Sequence, residues 1–315
     1  MDSSSVRSDS ATQRAGVSAS AGPPQPPVST PEPLAATQEP VPSATPGWQR
    51  LWTHSYRLGL RWLVTGARNG WRGRRVGLTR LLVPLDPWRY YELGRVADAE
   101  FSGRCLDVSS PKLLASLLQH ERCGEWIAVD LFDEEIENWR HVDPVLDLRV
   151  EDATKLSFAG ETFDNCICVS VVEHVPGDGD MTAMAEIWRV LKKGGVLHLT
   201  TDVAAEPREI FAGEKVYGAA SSEVDGRVFF ARHYGEHDLE QRLLGEPWEV
   251  VLREFARQRD ESIERAFYRR APWSYLYGGL LRLRCADNFE VTDAPVFAAE
   301  SEHSVVYLRL RKPAG

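Results

Sequence analysis

Residues 147–201 read DLRVEDATKLSFAGETFDNCICVSVVEHVPGDGDMTAMAEIWRVLKKGGVLHLTT, and the order of patterns inside this stretch decides the fold. NCICVSVV (165–172) is apolar on both faces, as a central strand covered by helices on each side would be. From Asp180 to Lys193 the apolar positions 181, 184, 185, 188 and 191 follow helical spacing. Gly194-Gly195 is then expected to end that helix through a left-handed cap. VLHLTTD (196–202) reads as the next strand and LDLRVED (146–152) as the one before.

Working upstream, RCLDV (104–108) is a short strand, Pro111 to about Gln119 a helix, EWIAVD (125–130) a second strand and DEEIENW (133–139) a short helix. Strand and helix alternating at this spacing predict an α/β fold with a doubly wound, mostly parallel sheet. EVVLREF (249–255) and HSVVYLRLR (303–311) read as the last two of seven strands, an antiparallel pair at the sheet edge. In such folds the ligand lies beyond the carboxyl ends of the strands. Acids stand at or next to four of those ends: Asp107, Asp130, Asp152 and Glu173. Asp130 follows Asp107 by 23 residues, close to the spacing at which a second-strand acid meets ribose hydroxyls.

The ordered set Asp152-Ala153, Leu156-Ser157-Phe158, Phe163-Asp164, Glu173-His174-Val175 and Arg189 through Gly195 resembles the class I S-adenosylmethionine-dependent methyltransferases, in particular their small-molecule type 11 branch. That resemblance implies a Rossmann-like fold, S-adenosylmethionine as cofactor, and methyl transfer to a small-molecule, lipid-linked or sugar-linked acceptor. It places Asp107 beside the methionine end of the cofactor, Asp130 on the ribose hydroxyls, and Asp152 with Ala153 at the adenine. Val171 through His174, Glu173 included, would wall the sulfonium, and His174 is the candidate general base. Phe163-Asp164, Arg189 and the glycine pair read as residues that hold the fold. A catalytically inactive relative that keeps the fold as a binding or scaffolding protein is the alternative.

The first loop departs from the family. Where relatives carry glycines two, four and six residues after the first acid, this chain has Ser109, Pro111 and Leu113. Ser110 is expected as an N-cap and Pro111 at the first helical position, which would aim backbone amides of Ser109 and Ser110 at a methionyl carboxylate. Lys112 is out of place in a first helical turn, since a cation there opposes the helix dipole. Two expectations stand for it: a pair with the cofactor carboxylate, or a solvent-facing lysine.

Three regions surround this pattern. Residues 1–47 are nearly all Ser, Ala, Pro, Thr, Gln and Gly and are expected to be disordered. Residues 48–85 form a basic, Trp-rich helical segment, and 86–315 the methyltransferase-like domain, with lid elements near 204–245 and 263–295. The net charge of −9 conceals eight arginines and no acid between residues 40 and 85, leaving about −15 on 86–315. An acidic body argues against nucleic-acid binding. Trp48, Trp52, Tyr56 and Leu63 are expected on one stripe, with Arg50, Arg57 and Arg61 opposite. Such a helix suits either peripheral contact with anionic lipid or packing on the acidic body. Tyr90 or Tyr91 is a candidate cover for the cofactor. With neither a secretory signal nor a long apolar run, a cytoplasmic protein is expected, with possible peripheral membrane contact. The five cysteines show no metal-ligand spacing, and Cys166 and Cys168 read as packed core thiols.

Overall fold

The computed structural model describes residues 45–69, 77–78, 80–82, 85–213, 223–224, 227–269, 283–295 and 304–315. The tail expected to be disordered lies outside the described residues up to position 44, as do residues 270–282 of the second proposed lid stretch.

Five parallel strands, β1 (Arg104–Val108), β2 (Glu125–Asp130), β3 (Asp147–Val150), β4 (Phe163–Val169) and β5 (Leu191–Val203), lie in the order β3-β2-β1-β4-β5. Three antiparallel strands extend the sheet past β5. They are β11 (Ser304–Arg311), then β9 (Glu249–Gln258), then β10 (Phe289–Thr292) at the edge. The sheet thus has eight strands rather than seven. The expected antiparallel pair β9–β11 forms but is interior, because β10, which the sequence reading left inside a lid, pairs with β9.

Strand alternation divides two cores. On β4, Ile167 and Val169 face one side while Cys166 and Cys168, both free and fully buried, face the other. The first side is covered by α1 (Gly47–Asn69), α2 (Arg89–Ala97), α3 (Leu113–His120) and α4 (Asp133–Val142), the second by α5 (Gly179–Val190). A second sheet, β6 (Arg208–Ala212), β7 (Glu223–Val224) and β8 (Arg227–His233), follows β5 in sequence and packs over the loop after β4. Among its described residues, the stretch 204–245 expected as a lid holds these three strands and then a short helical turn at Glu236–Asp238 and Leu239–Leu243. Helix α6 (Glu261–Arg269) follows β9.

Two local readings change. Helix α5 stops at Val190, and Leu191 is already extended, so the glycine pair does not cap it. Gly194, at φ +79°, instead bends the start of β5, where its N–H meets the carbonyl of Lys312. On α1 the buried face is Leu51, His54, Ser55, Leu58 and Trp62, while Tyr56 is exposed and Arg50 reaches Glu121 and the Ala97 carbonyl. The helix packs on the body, as the second expectation had it. The Trp48–Trp52–Tyr56 stripe does not mark its buried side, because small residues set the approach. A Cβ at Gly47 would stand 2.3 Å from the carbonyl oxygen of Gly94 on α2. Burying Leu51 and Leu58 supplies roughly 1.5–3 kcal/mol each.

Candidate active site

The strand order reverses between β1 and β4, so the crevice beyond their carboxyl ends is the topological switch point. Both exits turn through serines in the left-handed region, Ser109 at φ 54° and Ser170 at φ 51°. A left-handed bend is what glycine would give the first loop; here serine adopts it at an energetic cost. Ser109 N–H donates to the Val129 carbonyl at 3.1 Å, which ties the bend to β2.

Ser110 is not an N-cap. Its hydroxyl accepts from the Val169 N–H at 2.9 Å and its N–H donates to Asp107 Oδ1 at 2.9 Å, so it stitches β1 to β4. The helix starts at Leu113, two residues past the expected start at Pro111, with no side-chain cap.

Lys112 is neither solvent-facing nor aimed at the loop's own amides. It is 2 % exposed, and its ammonium donates to Asp130 Oδ2 at 3.0 Å and to the Ser110 carbonyl at 2.8 Å. Asp130 Oδ1 accepts the Phe132 N–H at 3.1 Å, so both oxygens of the ribose candidate have partners within the protein. Asp107 is fully buried and its Oδ2 has no hydrogen-bond partner among the described residues. Burial pushes its carboxyl up to about 6, against the downward pull of Lys112.

On the far side of the crevice, a 3-10 turn at Val172–His174 follows half-buried Val171. Glu173 is 1 % exposed; its Oε2 accepts from Thr201 Oγ1 at 3.0 Å, and its Oε1 has no partner. Burial, and then the charge of Asp202, drives it well above the usual carboxylate range. Asp202, near the end of β5, is itself pushed up to about 7 by burial and by Glu92. Glu92 comes from α2, accepts from the Ser170 hydroxyl, and is paired with Arg89 at 2.7 Å. His174 Nδ1 lies 2.8 Å from the Phe230 carbonyl of β8. A carbonyl only accepts, so the proton sits on Nδ1 and Nε2 is the ring's acceptor. Burial lowers the pKa of this histidine, which favours the neutral ring.

Asp152 is exposed and caps its own turn, accepting from Thr154 N–H at 2.8 Å and Thr154 Oγ1 at 2.7 Å; Ala153 is buried beside it. Tyr90 and Tyr91 are buried on α2. Asp107, Asp130, Glu173 and His174, singled out in the sequence, stand at or just beyond the carboxyl ends of β1, β2 and β4. Sequence reasoning missed Glu92 and Asp202. Asp202 carried the same signal as the other acids, a carboxylate ending an apolar strand, whereas Glu92 lies outside the strand-helix pattern and had none.

The second sheet has its own anchor, also unread in the sequence. Asp180 is fully buried at the start of α5 and accepts from Arg232, Arg242 and the Tyr234 hydroxyl at 2.7–2.9 Å. Burial would raise this carboxyl, but the two arginines outweigh it and hold it below its ordinary value.

Residues 106–199 match the protein family described as a methyltransferase domain. No curated protein matches the chain. Among solved structures it is similar to an S-adenosylmethionine-dependent methyltransferase from Methanosarcina mazei, at 15% identity over 67% of this chain and 93% of that one, TM-score 0.44. It is also similar to the YcgJ protein of a Bacillus species, at 17% identity over 72% and 100%, TM-score 0.42. A third is a Haemonchus contortus phosphoethanolamine N-methyltransferase in complex with S-adenosyl-L-methionine, at 16% over 70% and 51%, TM-score 0.43. The strand order, the acids at the switch point and the matched span from β1 to β5 agree, so residues 106–199 of this chain carry a methyltransferase domain on a Rossmann-like sheet.

Proposed function

We propose that the crevice between β1 and β4 binds S-adenosylmethionine and that the chain methylates a small-molecule, lipid-linked or sugar-linked acceptor there. One observation carries this reading. Asp107 Oδ2 and Glu173 Oε1 are buried acceptors without donors among the described residues, one at the carboxyl end of β1 and the other just past β4. A buried unpaired carboxylate oxygen is costly, and a cationic amino-acid group with N–H donors offsets that cost. The methionyl end of the cofactor therefore fits the residues present. The ribose end fits only if its hydroxyls share or displace Lys112 at Asp130.

The cofactor supplies a methyl group already activated by its sulfonium. The chain's part is alignment, which gives most of the rate gain in such transfers. Ser109 and Ser110 shape the floor, Val171 and Glu173 the wall, and Asp152 with Ala153 the adenine end. His174 takes a proton from the acceptor at Nε2 as the new bond forms. Glu92 and Asp202 add negative charge near Glu173, which favours a cationic ligand.

A second reading, a non-catalytic protein that keeps the fold for binding, is favoured by the Lys112–Asp130 pair, which satisfies the ribose acid without a ligand. Calorimetry on the full chain decides between them. Binding of both S-adenosylmethionine and its demethylated product supports the enzyme; binding of neither leaves the scaffold.

The expected lipid contact of residues 48–85 has a surface to act through. Tyr56, Leu60 and Val64 are exposed along α1 beside exposed Arg57 and Arg61, a face suited to an anionic bilayer surface. No helix among the described residues is long and apolar enough to cross a membrane.

A further inference from the structure

Away from the crevice, three helices converge on a second cluster. His54 of α1, His120 at the end of α3 and Asp143 just past α4 offer ligand atoms that all lie within 4.8 Å of one another. His120 Nε2 is 3.0 Å from Asp143 Oδ1. Two ligands on a tetrahedral zinc, with bonds of about 2.0–2.2 Å, stand roughly 3.3 Å apart, so this pair is already near the required spacing. His54 closes the set by a side-chain rotation.

The surroundings meet the other requirements of a metal site: oriented ligands and a way in. Ser116 of α3 donates its hydroxyl to Asp143 Oδ2 and lies 2.7 Å from His54 Nε2. The serine thereby fixes the carboxylate with Oδ1 turned to the histidines, the kind of outer contact that orients metal ligands. Asp143 is fully buried, while His120 is a third exposed at its side chain. An open cavity of about 450 Å³, lined by Gln49, His54, Arg57, Leu117, His120 and Glu121 among others, leads to the cluster.

We propose that His54, His120 and Asp143 bind one divalent transition-metal ion of the zinc type, with water from the cavity as the remaining ligand. Two imidazoles and one carboxylate select such an ion over magnesium or calcium, which require mainly oxygen ligands. The ion would staple α1 to the ends of α3 and α4. This site shares no residue with the crevice and stands whatever the acceptor proves to be.

The test is zinc binding by the full chain after chelator treatment and dialysis, read as metal per chain, as affinity by calorimetry, and as the shift in thermal midpoint. Expected is one tight zinc per chain with a raised midpoint, no such effect from magnesium, and a visible cobalt spectrum of the tetrahedral kind. His120→Gln, at a partly exposed position, should keep the fold, lose at least tenfold in zinc affinity and abolish the cobalt spectrum. His54→Gln should do the same; should it fail to fold, His120→Gln decides alone. Absence of stoichiometric zinc, or equal affinity in His120→Gln, overturns the proposal and leaves a hydrogen-bonded clamp.

Discussion

Lys112 Nζ sits 3.0 Å from Asp130 Oδ2, with the lysine side chain 1 % exposed and the aspartate 12 %. The ammonium therefore occupies one oxygen of the acid proposed to hold the ribose hydroxyls. Removing one partner of a buried pair costs about 3–5 kcal/mol, because the other charge stays behind. Lys112→Met should lower the unliganded stability by about that amount in urea titrations. The same change should tighten binding of the demethylated cofactor at least tenfold, since ligand hydroxyls no longer compete for Asp130. Equal or weaker affinity by calorimetry would show that the lysine assists the ligand.

Asp107 gives a pH signature. Its folded value of about 6 lies above the ordinary 3.8, so the folded state holds this proton more tightly than the unfolded chain does. Its contribution to stability is full below about pH 3.8 and is lost as pH rises through about 6. Asp107→Asn removes the titration. The stability of the wild type minus that of the variant should fall between pH 4 and 6 and be flat above. A rising difference in urea unfolding across that window would contradict the buried, unpaired carboxylate.

Asp180 gathers Arg232, Arg242 and Tyr234 where the second sheet meets α5. Asp180→Ala leaves two guanidinium groups without their shared acceptor and should cost about 3–5 kcal/mol. Proteolysis should then cut within residues 204–245 before the rest of the chain. Unchanged cleavage kinetics would argue that the lid is held by its apolar contacts alone.

For His174, a proton-accepting role at Nε2 places the loss in turnover. Once an acceptor is in hand, His174→Gln should reduce kcat by about 10²–10⁴, leave cofactor affinity unchanged and remove the acidic limb of the pH–rate profile. A rise in KM alone, with the pH profile intact, would assign the ring to holding the β4 loop through Phe230.

The α1 surface can be checked without a substrate. The full chain should float with phosphatidylserine vesicles at low salt and less so at high salt. Leu60→Asp with Val64→Asp should abolish flotation without changing thermal stability, as both side chains are exposed. Flotation that survives the double substitution would clear this face of the role.

The parallel core was legible because each strand and helix carries its own periodicity, and because strand ends are where that periodicity breaks. Asp107, Asp130 and Glu173 sit at such breaks and could be found. What Lys112 touches could not, because its partner lies 18 residues away, across a helix and a strand boundary. Glu92 reaches Ser170 only because α2 packs beside α1 and α3, a tertiary fact with no local trace. The face of α1 was misread for a related reason: tryptophan spacing drew the stripe, but the approach of Gly47 to α2 sets the rotation. Gly194 was read as a helix stop from its type, whereas the turn into β5 and its contact with Lys312 require the left-handed bend later. The pairing that puts β10 at the edge is likewise non-local.

Strand β11 lies between β5 and β9, although it follows both in the chain. A nascent polypeptide emerging from the ribosome can therefore assemble the parallel half early, but its β5 edge and both long sides of β9 wait for a segment translated afterwards. During that interval the β5 edge is open to strands of other molecules. Overproduction at high temperature should drive the newly made chain into aggregates, and holding chaperones should relieve this more than slower growth of the finished protein's surface charge could.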